Sequence, residues 1–150
     1  MNEIQFNTIY RFNFPITIGT LSADVVAKLG KDGRFLSHAL EYQLADWFPL
    51  IRVDQTHYDL VDKATQTIKY EAKCFTNNGA KLLPSKMQGS KREVDYPAFM
   101  DIALNTIYIV LDITAFPEIR VVFIEGQEVL KRFSNAKITP SQGRLLFKGL

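Results

Sequence analysis

Hydrophobic positions along the chain recur with two periods, and the switches between them mark out the elements. Between residues 4 and 18 apolar side chains alternate loosely, with Phe6, Ile9, Tyr10, Phe12, Phe14, Ile16 and Ile18. This predicts extended chain or a short hairpin, interrupted near Pro15, which has no N–H to give to a ladder. Ser22 is a candidate N-cap for a short helix to Leu29, with Gly30 placed to end it. Gly33 opens a longer helix over about 34–48, stopped at Pro49. Its Leu36, Leu40, Leu44 and Trp47 make one apolar stripe at helical spacing, and Glu41 sits at the flank of that stripe.

Strand signals follow. Residues 50–53 start a sheet, and 56–62 with 67–75 form its central hairpin. The Gly-, Lys- and Ser-rich stretch 77–92 reads as irregular. Residues 96–105 have helical composition, with Pro97 tolerated in the first turn. The run TIYIVLDI at 106–113 is nearly continuous in apolar and β-branched residues, as a strand buried on both faces requires. Residues 119–124 read as a further strand, 127–133 as ambiguous, and the tail 141–147 as a last strand. The coarse order is helix, two or three strands, helix, one or two strands.

Composition narrows the class. A chain of 150 residues with a 47% hydrophobic fraction can bury a core as one domain, and no repeat or linker divides it. No apolar run approaches the length of a membrane span. The start, MNEIQFNTIY, lacks the basic and apolar stretches of a signal peptide, so a cytoplasmic setting is expected. One cysteine, Cys74, excludes an internal disulfide framework, and its expected place is a buried one. Two histidines, His38 and His57, are too few for a histidine-rich zinc site. No phosphate loop or dinucleotide fingerprint is present. The net charge of +2 says little, but Lys81, Lys86, Lys91 and Arg92 concentrate in one polar loop.

Candidate chemistry lies in the hairpin YDLVDKATQTIKYEAK. A three-residue loop at 64–66 pairs Lys63 with Thr67. Leu60 then faces Tyr70, Asp59 faces Glu71, and His57 faces Lys73. Side chains alternate between faces, so Asp59, Glu71 and Lys73 share one. Directly opposed residues lie roughly 5 Å apart at Cβ, close enough for two carboxylates to share one ion. Mg²⁺, with Mn²⁺ as a substitute, takes one or two carboxylates plus waters and phosphate oxygens. The backbone carbonyl of Ala72 is a further candidate ligand. Lys73 would hold or deprotonate the attacking water, or stabilise charge on the phosphate. Asp54 and Asp62 are rivals for the first acid; Asp62 falls on the opposite face in this register.

This arrangement, an acid before Glu71-Ala72-Lys73 in a hairpin, with a helix ahead and helix and strand behind, resembles the PD-(D/E)xK nuclease superfamily. Asp59 matches the first acidic position, Glu71 the second and Lys73 the lysine. His57-Tyr58 stands where the name-giving proline would precede Asp59. Glu41 matches a glutamate that many members carry on the first helix. The resemblance covers about 34–113. It implies an α/β domain with a central mixed β-sheet flanked by helices in a restriction endonuclease-like core, Mg²⁺-dependent hydrolysis of DNA, and a homodimer.

The expected activity is therefore that of a divalent-metal-dependent DNA endonuclease on double-stranded or branched DNA. A small type II restriction endonuclease comes first, a Holliday-junction resolvase or repair nuclease second, and a non-catalytic nucleic-acid-binding or assembly domain third. Glu41 and His57 are candidates for an indirect role at the metal. The basic loop supplies candidate DNA contacts at Lys86, Gln88, Ser90, Lys91 and Arg92, because Arg and Lys meet phosphates and Gln can read adenine.

Overall fold

The computed structural model describes residues 1–55, 57–89 and 92–148. The first strand, β1 (Tyr10–Asn13), is the one part of the N-terminal alternating segment that enters a named strand. Ser22 caps α1 (Ala23–Gly30), its side chain accepting from the Val25 N–H. Asp32 caps α2 (Gly33–Trp47) in the same way through Arg34. The chain then turns at Phe48 and Pro49 into an antiparallel meander of β2 (Leu50–Arg52), β3 (Leu60–Asp62) and β4 (Lys69–Phe75).

Beyond β4, a short β5 (Ala80–Lys81) and a 3-10 turn at Ser85–Met87 break up the stretch expected to be irregular. Helix α3 (Tyr96–Leu104) carries the chain back so that β6 (Thr106–Asp112) lies parallel to β4. A parallel neighbour needs such a crossover, and a helix is its usual form. Strand β7 (Glu118–Glu125) returns antiparallel to β6, and β1 pairs on its outer side. The sheet order is β1-β7-β6-β4-β3-β2, so the mixed sheet anticipated from sequence is present.

The remaining residues form α4 (Gly126–Arg132), β8 (Lys137–Ile138) and α5 (Pro140–Leu146). Strand β8 pairs with β5 in a separate two-stranded sheet. The tail expected as a last strand is thus a helix. Thr139 and Gln142 form a reciprocal capping box and Pro140 opens the first turn. A Cβ on Gly143 would fall 2.0 Å from the Phe75 ring, so helix and ring are in close contact. The ambiguous stretch at 127–133 also resolves as helix.

Alternation in β6 shows why the sheet is buried on both faces. Ile109 and Leu111 join Leu36, Leu40, Leu44 and Phe48 of the α2 side. Tyr108 and Val110 join Phe99, Ala103, Val129 and Leu146 of the α3–α5 side. Glu41 is carried by α2 into a buried position beside this stripe, closer to the sheet than its place in the helical pattern implied. No helix among the described residues is long and apolar enough to cross a membrane.

The hairpin register is the expected one, with Leu60 opposite Tyr70 and Val61 opposite Lys69. The loop differs. The Asp62 N–H donates to the Ile68 carbonyl, while the Lys63 N–H donates to Pro49, so Lys63 does not pair with Thr67. Asp62 organises the turn instead. Its carboxylate accepts from the N–H groups of Thr65, Thr67 and Ile68 and from the Thr65 hydroxyl, which holds its pKa well below the usual range.

Leu40 is fully buried under α2, whereas Phe35 on the same helix is exposed. Leu40→Ala is expected to lower the unfolding free energy by about 2–5 kcal/mol. Phe35→Ala should stay within about 0.5 kcal/mol, and urea denaturation of both variants checks the contrast.

Candidate functional site

Strands β3 and β4 pair through Leu60–Tyr70 and then part. The Asp59 N–H runs to the Tyr70 carbonyl, the same residue that Leu60 faces, so β3 gains a residue as a bulge does. From Glu71 onward the β4 edge that faced β3 has no ladder partner among the described residues, while its other edge stays paired with β6 through Phe75. Asp59 occupies the opening. Its Oδ2 accepts from the Ala72 N–H at 2.9 Å. N–H and C=O of one strand residue leave on the same edge, so the Ala72 carbonyl faces the opening as well.

Glu71 and Lys73 lie on the same face of β4, both with little side-chain exposure. The Lys73 Nζ stands 3.5 Å from Glu71 Oε1 and donates to the Leu83 carbonyl at 3.0 Å. Gln88 Nε2 donates to that same carbonyl at 2.6 Å, so the loop after β5 fixes the end of Lys73. Burial pushes the Glu71 carboxyl up to about 8; Lys73 opposes the shift, and the adjacent Asp59 carboxyl adds to it.

A cleft of about 830 Å³ runs along this open edge. It brings together Glu41, Asp59, Glu71, Ala72, Lys73 and Gln88 from four separate stretches of chain. Glu41 reaches it from α2, held 3.4 Å from Arg52 Nε and 3.5 Å from His38 Nδ1. Its pKa is raised, first by burial and then by Asp59. Cys74 also borders the cleft, but burial pushes its thiol up to about 12, which leaves it a poor nucleophile. Among the described residues no group of three or more His, Cys, Asp or Glu side chains is arranged to hold a metal. The acidic donors at the edge are the Asp59–Glu71 pair, with Glu41 close to Asp59.

Other expected site residues fall elsewhere. His57 does not line the cleft. Its Nε2 lies 3.5 Å from the Lys86 Nζ, and its buried Nδ1 has no hydrogen-bond partner among the described residues. Burial, then Lys86 and Lys69, lower its pKa. Arg92 is tied back to the Ser85 carbonyl at 2.7 Å. Ser90 and Lys91 lie outside the described residues. The rival acids are engaged away from the cleft: Asp54 is exposed and paired with Arg52 at 2.8 Å, and Asp62 organises the hairpin turn.

Sequence reasoning missed the cleft's outer wall. Lys28, Lys31 and Arg34 reach it from the α1–α2 turn, and Asn77 and Asn78 from the tight turn after β4. A signal was present at the first position, since basic residues recur every third place across Gly30 and Gly33. Comparison with known proteins finds no matching family model, no matching curated protein and no matching solved structure.

Glu71 has an ordinary carboxyl value of 4.5 and a folded value of about 8. Its folded pKa is the higher one, so the linked stability is fully present below about pH 4.5 and is lost as pH rises towards 8. The slope is at most about 1.4 kcal/mol per pH unit. Metal-free denaturation across this window should show the decline in wild type and a flatter profile in Glu71→Gln. Carboxyl NMR should place the Glu71 titration near 8 and move it down in Asp59→Asn.

Proposed function

We infer that this cleft hydrolyses phosphodiester bonds in DNA with the help of a divalent cation, Mg²⁺ or Mn²⁺. The observation that carries the reading is the meeting of Asp59 and Glu71 at an unzipped strand edge, with Lys73 ion-paired to the second of them. Two carboxylates brought together under partial burial repel each other, and a shared cation relieves that repulsion. The order of elements lends support. Helix α2, the β2–β3–β4 meander, α3 and the parallel β6 follow in the order on which the resemblance to PD-(D/E)xK nucleases rests.

The donors fit a hard cation. Asp59, Glu71 and the Ala72 carbonyl offer oxygen alone, and the open cleft leaves space for water and phosphate oxygens. When bound, the ion polarises the phosphoryl group and makes water more acidic. The chain's own residues do the rest. Asp59 is anchored by the Ala72 N–H, so its carboxylate is oriented before a ligand arrives. Glu71 must lose its proton to act as a ligand. Lys73, steadied by the Leu83 carbonyl, is positioned to hold the attacking water or to meet charge on the phosphate. Glu41 acts indirectly, through the field it adds beside Asp59.

Within this reading a small type II restriction endonuclease fits the compact chain best, acting as a homodimer when both strands are cut together. Junction-selective nicking would instead mark a resolvase. Incubation of supercoiled plasmid, linear duplex and four-way junctions with Mg²⁺ distinguishes these outcomes. Asp59→Ala, Glu71→Ala and Lys73→Met should each lose about 10²–10⁴-fold in cleavage rate with the fold intact by circular dichroism. Full cleavage by all three variants would contradict the assignment.

A further inference from the structure

The acids Asp59, Glu71 and Glu41 lie with Lys73 in the less exposed part of the cleft, whereas Lys28, Lys31 and Lys81 are exposed at its rim; the remaining lining acid, Asp32, is already paired with Arg34. The rim lysines come from two separate stretches of chain, Lys28 and Lys31 from the end of α1 and Lys81 from β5. Ordinary folding accounts for part of this: Lys28 and Lys31 complement the C-terminal end of α1, Lys31 as its cap residue, but no helix end accounts for Lys81 on β5. Lys81 stands directly across the β5–β8 pair from Lys137. Like charges opposed across strands destabilise the pair. No ion pair joins Lys28, Lys31, Lys81 or Lys137 to an acid among the described residues. A polyanion lying across the rim would satisfy all four.

The lining also speaks to the form of that polyanion. Among the described residues that line the cleft there is no Phe, Tyr or Trp, and the one ring, that of His38, is held beside Glu41. Proteins that take single-stranded nucleic acid stack its bases on aromatic rings. A duplex keeps its bases stacked on one another and presents phosphates on two strands, which two basic walls can meet.

We propose that the α1–α2 turn and the β5–β8 pair are the two arms of a phosphate clamp that seats double-stranded DNA across the cleft. Lys28 and Lys31 hold one backbone; Lys81, with Lys137 behind it, holds the other. The choice of DNA rests on the nuclease reading, whereas the clamp itself rests on the rim charges and the lining.

Fluorescence anisotropy with a short labelled DNA duplex, and with one of its strands alone, tests the clamp in EDTA, where no cleavage occurs. The duplex should bind more tightly than the strand. Lys28→Gln/Lys31→Gln should weaken duplex binding at least about tenfold and reduce the slope of log affinity against log salt by roughly two. Lys81→Gln should reduce that slope by roughly one. The control Lys63→Gln/Lys131→Gln removes equal charge away from the cleft and should have a smaller effect. Equal or tighter binding of the single strand overturns the proposal, as does an unchanged slope in the rim variants. A protein that binds duplex through these lysines but never cleaves with metal keeps the clamp and refutes the nuclease reading. Cleavage at wild-type affinity in the rim variants does the reverse.

Discussion

The hydrogen bond from the Ala72 N–H to the Asp59 carboxylate, 2.9 Å long, closes the point where β3 leaves β4. A strand edge with unpaired N–H and C=O groups is costly when partly buried, because each group needs a partner. Asp59 supplies the partner for one of them without continuing the ladder. The edge therefore stays open from Glu71 onward, and the carboxylate that caps it is brought to Glu71. Cleft and acidic pair share this one cause.

The rest of the fold keeps the opening rigid. Strand β4 is paired along its whole length with β6, which is itself sandwiched between two apolar layers. Helix α2 is pinned on one face by Leu36, Leu40 and Leu44, and this places Glu41 against the edge. On the other side, the loop after β5 lends the Leu83 carbonyl to Lys73. The Asp62 turn fixes the hairpin register that decides which residues meet at the split. A one-residue slip in that register would carry Glu71 and Lys73 away from Asp59.

Much of this was legible in residue order. The α2 stripe, the buried β6 run and the Leu60–Tyr70 pairing all follow from periodicity, because burial dictates which side chains share a face. The closeness of Asp59 and Glu71 was also readable, though the bulge that produces it was not. A bulge depends on how β3 bends to meet β2, with no local residue marking it. The tail was misread because Leu145, Leu146 and Phe147 suit a strand as well as a helix; the Thr139–Gln142 capping box was the clue that distinguished them. His57 was expected opposite Lys73 by extending the ladder past its end, where the split turns it towards Lys86. Of the basic rim, Lys81 was legible as part of the polar loop, whereas Lys28 and Lys31 were not, because they lie far from that loop along the chain and join it only when α1, α2 and β5 pack around β4.

We propose that the open edge of β4 is a cation site made by Asp59 and Glu71. Calorimetric titration of Mn²⁺ into the metal-free protein, repeated in buffers of different ionisation enthalpy, tests it directly. With Glu71 protonated up to about pH 8, binding at neutral pH should release about one proton, and release should fade at higher pH. Binding without proton release at neutral pH, or with equal affinity in Asp59→Asn and Glu71→Gln, would contradict the account.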